Sequence, residues 1–339
     1  MNPSRSKPRF VAIDILNEIL GNQKSFRELR ALGMLKNLQP NEKAFVQRLV
    51  MDTLRNLERS DKLLKKYLKK DPKLRVKNTL RLSLTELATG GASHAIVNEA
   101  VNYAASNKKS RPMKGLVNAV LRQLSSSEIE EWNNVANISR LPKWLRGPLI
   151  SAYGKNTVIE IEKIQSFTPP VDITLKDPHK IKGWAKELDG RIVFQESIRL
   201  KSGKQISALP GFKEGDWWVQ DAAASIPIRL LGNLSGKRVL DLCAAPGAKT
   251  LQLASLGADV TSVDISSSRL QLLRENLERC GLSANIIESD AFNITDKFDI
   301  VLLDAPCSAT GTIRRHPDLV YCKDGSDFFE LMEIQARLL

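Results

Sequence analysis

Near the end of this sequence a thiol stands three residues after an acid, in Asp304-Ala305-Pro306-Cys307-Ser308. A thiolate can add to an electrophilic ring carbon, and a neighbouring carboxyl group can stabilise the adduct. A small cysteine at a strand terminus is also an ordinary packing residue, so the pair gains meaning only from its company. Asp264 and Asp290 also follow apolar runs, and upstream lies the small-residue turn Cys243-Ala244-Ala245-Pro246-Gly247-Ala248-Lys249. Singly, each aspartate suits a loop or a helix cap. Three at successive strand ends mark a ligand site.

The elements that must position these residues read as strands alternating with helices. Arg238–Leu242, Asp259–Asp264, Asn285–Ile287 and Phe298–Asp304 are strand-like, and helical runs cover Leu251 to Leu253 and Ser267 to Arg279. That alternation predicts a parallel sheet of Rossmann-like, doubly wound type, with ligands beyond the carboxyl ends of its strands. The turn after the first strand has neither the two glycines of a phosphate-binding P-loop nor the three of a dinucleotide fingerprint. A nucleoside without a phosphate tail fits better, and S-adenosylmethionine is such a ligand. Asp264 is placed to accept from ribose hydroxyls, and Asp290 to meet the adenine amino group.

Enzymes that methylate amino groups usually end the fourth strand in Asn or Asp, two prolines and an aromatic residue. Here the aromatic is missing and Cys307 stands nearby. Cytosine C5 cannot take a methyl group unaided, and thiolate addition at C6 makes it nucleophilic. Cys307 and Asp304 are therefore the candidate catalytic residues. Arg314, Arg315 and His316 follow in a loop that either holds RNA phosphates or is a solvated turn.

The front of the chain has a different texture. It carries about 25 basic and 12 acidic residues in its first 130, while the rest is near neutral, and the whole has a net charge of +13. Such a front suits a polyanion. Helical apolar spacing runs from Phe10 to Leu20 (closed by Gly21-Asn22), Phe45 to Leu54, Leu80 to Leu87, Ile96 to Ala104 and Met113 to Leu124. Ser125-Ser126-Ser127 with Glu128, Glu130 and Glu131 reads as a linker. Helix resumes from Trp144 to Ile164, and strands at Val171–Leu175 and Arg191–Phe194 suggest a small α/β unit. The four cysteines form no Cys-x-x-Cys pair and the three histidines are scattered, so no metal site is expected. No apolar run reaches membrane-spanning length, and the reduced cysteine usage suggests a soluble cytoplasmic protein.

These motifs resemble the RNA cytosine-5 methyltransferase family, whose donor turn and Asp-Ala-Pro-Cys-Ser run match Cys243 to Lys249 and Asp304 to Ser308, with Asp264 and Asp290 between. His94 to Val101 and Lys114 to Arg122 resemble a NusB-like helical RNA-binding domain, a fusion seen in the RsmB/Sun family, and the resemblance covers essentially the whole chain. It implies three parts. They are an all-α NusB-like domain over residues 1–127, linker helices with a small α/β, RRM-like RNA-binding subdomain over 128–220, and an α/β Rossmann-like class I methyltransferase core over 221–339.

The resemblance also implies S-adenosylmethionine as cofactor, bound by Cys243, Ala244, Ala245, Pro246, Gly247, Ala248, Lys249, Asp264, Asp290 and Asp304. The implied partner is 16S ribosomal RNA with one target cytosine, and neither DNA nor a membrane. A monomer is expected. Ala248 departs from the family's usual second glycine, which is harmless only if its φ is negative. In the family the attacking thiol lies in a later Thr-Cys step, while the Cys307 equivalent helps release product. By that resemblance the chain stops after the fourth strand, before its nucleophile, and its exposed sheet edge should favour aggregation. The alternatives are a non-catalytic RNA-binding protein with a remnant core and, against the NusB-like front, a DNA cytosine methyltransferase.

Overall fold

Apolar residues at helical spacing build the front of the chain. The computed structural model describes residues 7–126, 128–201 and 205–339, and the chain divides into two units, Met1–Pro169 with Ala309–Asp327 and Pro170–Ser308 with Phe328–Leu339. The first contains α1 (Pro8–Asn22), α2 (Phe26–Ala31), α3 (Pro40–Arg55), α4 (Leu57–Leu64), α5 (Leu74–Ala88), α6 (Ser93–Ala105), α7 (Lys114–Ser126), α8 (Glu128–Asn134), α9 (Lys143–Tyr153) and α10 (Lys155–Gln165). Helix α5 is central. It buries Leu80, Leu82 and Leu84 together with the polar Asn78, Arg81 and Glu86, and those charges are answered by Asp61 at 2.6 Å and Arg9 at 2.7 Å.

Three details differ from the sequence reading. Helix α1 runs through Gly21 and Asn22, and the left-handed residue that ends it is Gln23. Helix α2 escapes a periodicity search because it has only six residues, yet Ser25 and Glu28 cap it reciprocally. The expected linker is largely helical: α7 reaches Ser126, α8 starts at Glu128, and Ser127 lies outside the described residues. Trp132 on α8 is buried in the cluster that also holds Leu80, Val117 and Leu121. Apolar burial outweighs the local acidic composition there.

The second unit begins with β1 (Val171–Leu175), α11 (Ile181–Glu187), β2 (Arg191–Phe194), β3 (Ser197–Leu200) and β4 (Trp217–Val219). These strands form an antiparallel sheet in the order β2-β3-β1-β4, which is that of a split βαβ motif. Then come α12 (Ala222–Arg229), β5 (Arg238–Leu242), α13 (Ala248–Ser255), β6 (Asp259–Asp264), α14 (Ser267–Cys280), β7 (Asn285–Glu288) and β8 (Ile300–Leu303). Their sheet is wholly parallel in the order β7-β6-β5-β8. This is the 3-2-1-4 order of a Rossmann-like core, as the alternation predicts. A buried cluster joins the two sheets, with Gln252 of α13 donating to Glu196 at 3.0 Å and accepting from Gln220 at 2.8 Å.

Helix α15 (Leu319–Cys322) folds with the first unit and α16 (Phe328–Leu338) with the second. No helix among the described residues is long and apolar enough to cross a membrane.

Candidate active site

Strand β5 is buried along most of its length, and its parallel neighbours β6 and β8 deliver their last residues beside it. The chain then turns sharply. Cys243 takes the left-handed region at φ 60°, and Gly247 opens α13 at φ 103°. A left-handed cysteine is costly and persists only where its surroundings impose it. Here Ala244 N–H donates to Val263 O at 3.0 Å, which ties the turn to β6. Ala248 is the first residue of α13 and is not among the residues with positive φ, so the methyl group that replaces the family's second glycine is accommodated.

Asp264 is buried at the end of β6, with 4% exposure. One carboxylate oxygen accepts from Ala245 N at 3.1 Å and the other from Ser266 N at 2.9 Å, and Arg269 pairs with it at 3.4 Å. A carboxylate offers about four acceptor sites, so this one braces the turn and retains acceptors for a ligand. It lines a cavity of about 350 Å³ with Cys243, Ile265, Arg269, Asp290, Phe292 and Pro306, and with Ile334 and Arg337 of α16. Asp290 is exposed there and accepts from Phe292 N at 3.1 Å. Burial and then the Asp264 charge push the Cys243 thiol pKa up, which keeps it protonated and argues against a nucleophilic role.

A second cavity, about 200 Å³, lies along the turn from Ala244 to Lys249 and is lined also by Gln220, Asp221, Asp241 and Asp304. Lys249 Nζ donates to Asp304 Oδ2 at 2.5 Å. Cys307 is exposed, three residues beyond Asp304. Asp241 is absent from the candidate residues read in the sequence. It is fully buried, accepts from Thr250 Oγ1 at 2.6 Å on one oxygen, and has no partner among the described residues on the other. Burial, the largest cause, lifts its pKa to about 6. Only its place inside the fold reveals this, because in sequence it is one residue of an apolar strand.

That shift has a sign. Between the ordinary carboxylate pKa and about 6 the folded state holds a proton that the unfolded chain has lost, so stability falls as pH rises through this window. We expect Asp241→Asn to melt above wild type at pH 7.5, by the equivalent of about 2 kcal/mol, and the gap to close by pH 4.5. Thermal melts at both values check this, and an Asn variant that melts lower at pH 7.5 would oppose it.

Arg314, Arg315 and His316 belong to the first unit, and Asp304 and Cys307 to the second. Arg314 donates to the carbonyls of Phe167 and Thr168 at 3.2 and 3.3 Å, and its own carbonyl accepts from Arg55. His316 is exposed and its backbone N donates to Thr312 O. Two residues on, buried Asp318 accepts from Phe26 N at 2.9 Å. This run therefore ties the late segment into the helical unit. Asp318→Ala leaves a buried N–H unanswered, and we expect it to cost about 1–3 kcal/mol, read as an earlier first transition on urea unfolding.

A 3-2-1-4 parallel sheet, a glycine-pivoted turn without a phosphate cradle and carboxylates at successive strand ends define a Rossmann-like methyltransferase core. Residues 229–339 match the family model of the 16S rRNA methyltransferase RsmB/F, and residues 6–126 that of the NusB family. The chain thus carries a segment of the RsmB/F methyltransferase family behind a segment of the NusB family. Among curated relatives, ribosomal RNA small subunit methyltransferase B of Salmonella arizonae is 36% identical over 264 residues, which is 73% of this chain and 61% of that protein. The Klebsiella pneumoniae protein of the same name gives the same figures. The chain thus spans 61% of the length of these relatives. The solved structure of PH0851 is similar in fold, with TM-score 0.69 and 19% identity over 98% of this chain and 82% of that one. NSun6 from Pyrococcus horikoshii, crystallised with SFG, gives TM-score 0.52 and 18% identity over 58% and 78%.

The family implies S-adenosylmethionine as methyl donor, and the residues present fit it. The orphaned Asp241 oxygen and the carboxylates of Asp264 and Asp290 suit a cationic ligand rich in donors. Lys249 is already held by Asp304 and is not offered to a phosphate.

Proposed function

We propose that this chain carries the donor-binding core of an RNA cytosine-C5 methyltransferase whose substrate is 16S ribosomal RNA. The observation that carries the reading is the pairing of Lys249 on the donor turn with Asp304, three residues before an exposed thiol. Cys243 to Lys249, Asp264 and Asp290 hold the donor. When bound, S-adenosylmethionine supplies an electrophilic methyl group.

Asp304, oriented by Lys249, stabilises the cytosine as a thiolate forms the S–C6 bond and makes C5 nucleophilic. After the methyl group joins C5, loss of the C5 proton and cleavage of the S–C6 bond restore the ring. Cys307 takes the releasing role that the family resemblance implies. The target base must be unstacked to reach these groups, which favours a cytosine in a loop or single strand.

The test uses the native protein as the cell makes it, unmodified 16S transcript and methyl-labelled donor, with nucleoside analysis of the product. We expect 5-methylcytidine. With Cys307→Ala we expect turnover to fall by at least about 100-fold and a covalent RNA adduct to persist on denaturing gels. Absence of transfer with intact RNA binding supports the non-catalytic reading, and N4-methylcytidine contradicts C5 chemistry. A Cys307 variant with neither turnover nor adduct makes that residue the attacking thiol.

A further inference from the structure

Helix α16 carries Ile334, Arg337 and Leu338 three and four residues apart, so they share one face. That face lines the cavity of about 350 Å³ that also holds Asp264 and Asp290. Two contacts keep the helix there. Gln335 Nε2 donates to Pro306 O at 2.7 Å, beside Cys307. The Arg337 guanidinium stands over the ring of Phe292, 4.4 Å from its centroid. The backbone of Phe292 is fixed as well. Its N donates to the Asp290 carboxylate at 3.1 Å in the short turn Ala291–Asn293, so ring and acid sit on one turn. Phe292 and Ile265 line the same cavity and are 42% and 71% exposed. A lone exposed apolar side chain is ordinary. Two that line one cavity, just past the paired strands β6 and β7, make an apolar slot with an acid at its edge.

We propose that Arg337 is a positioning residue for the methyl donor. It clasps Phe292 so that the ring forms a fixed wall for the donor's base, and α16 thereby closes the base end of the cavity. The donor rests on the reading above, whereas the role of Arg337 rests on the stack and the slot. An aromatic face stacks on a purine, and a carboxylate at the slot's edge accepts from the purine amino group. A guanidinium over an aromatic ring is attracted by the ring's quadrupole, and here it restricts a side chain that is otherwise exposed. Charge alone gives the opposite expectation. S-adenosylmethionine is a cation, so a fixed cation at its cavity repels it, and removing that cation should tighten binding. The clasp requires that removal weaken it. The sign of the effect decides between the two.

The test is calorimetric titration of the whole chain with S-adenosylmethionine and, separately, displacement of that donor by neutral adenosine. Arg337→Gln is expected to weaken both ligands about three- to fivefold and to leave the thermal melt unchanged, since Arg337 is exposed. Arg337→Lys keeps a cation over the ring but loses the planar stack, and should fall between. Phe292→Ala removes the wall and should weaken binding at least about tenfold. Adding Arg337→Gln to it should cost nothing further, because the two residues act through one contact. The matched change Arg274→Gln, at an exposed position of α14, should behave as wild type. Tighter donor binding by Arg337→Gln, or a loss seen with the donor and not with adenosine, would assign the residue to charge and overturn the clasp. Wild-type affinity in Arg337→Gln would overturn it too. No binding by the wild-type chain would overturn the donor reading, and the clasp with it.

Discussion

Gly247→Ala is expected to abolish measurable donor binding and to destabilise the second unit. Gly247 has φ 103°, where a side chain is strained whatever the space, and a Cβ there would stand 2.1 Å from Leu273 Cδ1. Leu273 is fully buried on α14 among Leu251, Leu270 and Leu277, so it has no room to yield. Backbone strain of about 1–3 kcal/mol and overpacking of similar size together exceed what one surface contact returns. Either the turn flattens and the donor cavity distorts, or α14 shifts. Calorimetric titration with S-adenosylmethionine and a thermal melt read the two effects. Wild-type behaviour in both would mean that the turn does not depend on this backbone state. Alanine at the next position, native Ala248, is harmless because it already lies within α13.

Asp264→Ala should have the second largest effect. It removes the acceptor for Ala245 N and Ser266 N and leaves Arg269 without its carboxylate. Asp264 is almost fully buried while Arg269 is one-third exposed, so solvent recovers part of the loss, and we expect a cost of about 2–3 kcal/mol. Donor affinity should fall further than stability, by at least about 100-fold, since a ligand hydroxyl also loses its acceptor. Asp264→Asn keeps one carbonyl acceptor and should fall between. A donor affinity within a few-fold of wild type in the alanine variant would restrict Asp264 to bracing the turn.

The parallel core is legible in sequence because its strands are short continuous apolar runs, each followed by an acid or a small-residue turn. Asp264 and Asp304 are conspicuous for that reason. Strands β3 and β4 are not, since Ser197–Leu200 and Trp217–Val219 are too short to show a period and are defined by pairing with β1. Helices α2 and α4 are hidden by length too, although Ser25 and Glu28 offered a cap signal. The place of Arg314 and Asp318 could not be read locally. It depends on Arg55 and Phe26, far back in the chain. Asp241 is inconspicuous in sequence for a related reason, as its raised pKa comes first from burial.

We propose that the turn after β5, with Asp264 and Asp290, builds the site for S-adenosylmethionine. Isothermal titration of the donor into the chain tests it most directly, with ATP and NAD as competitors and the Gly247→Ala and Asp264→Ala variants alongside. We expect saturable one-to-one binding that both variants lose and neither phosphate nucleotide displaces. Binding of ATP or NAD in place of the donor, or donor binding that survives both substitutions, would contradict it.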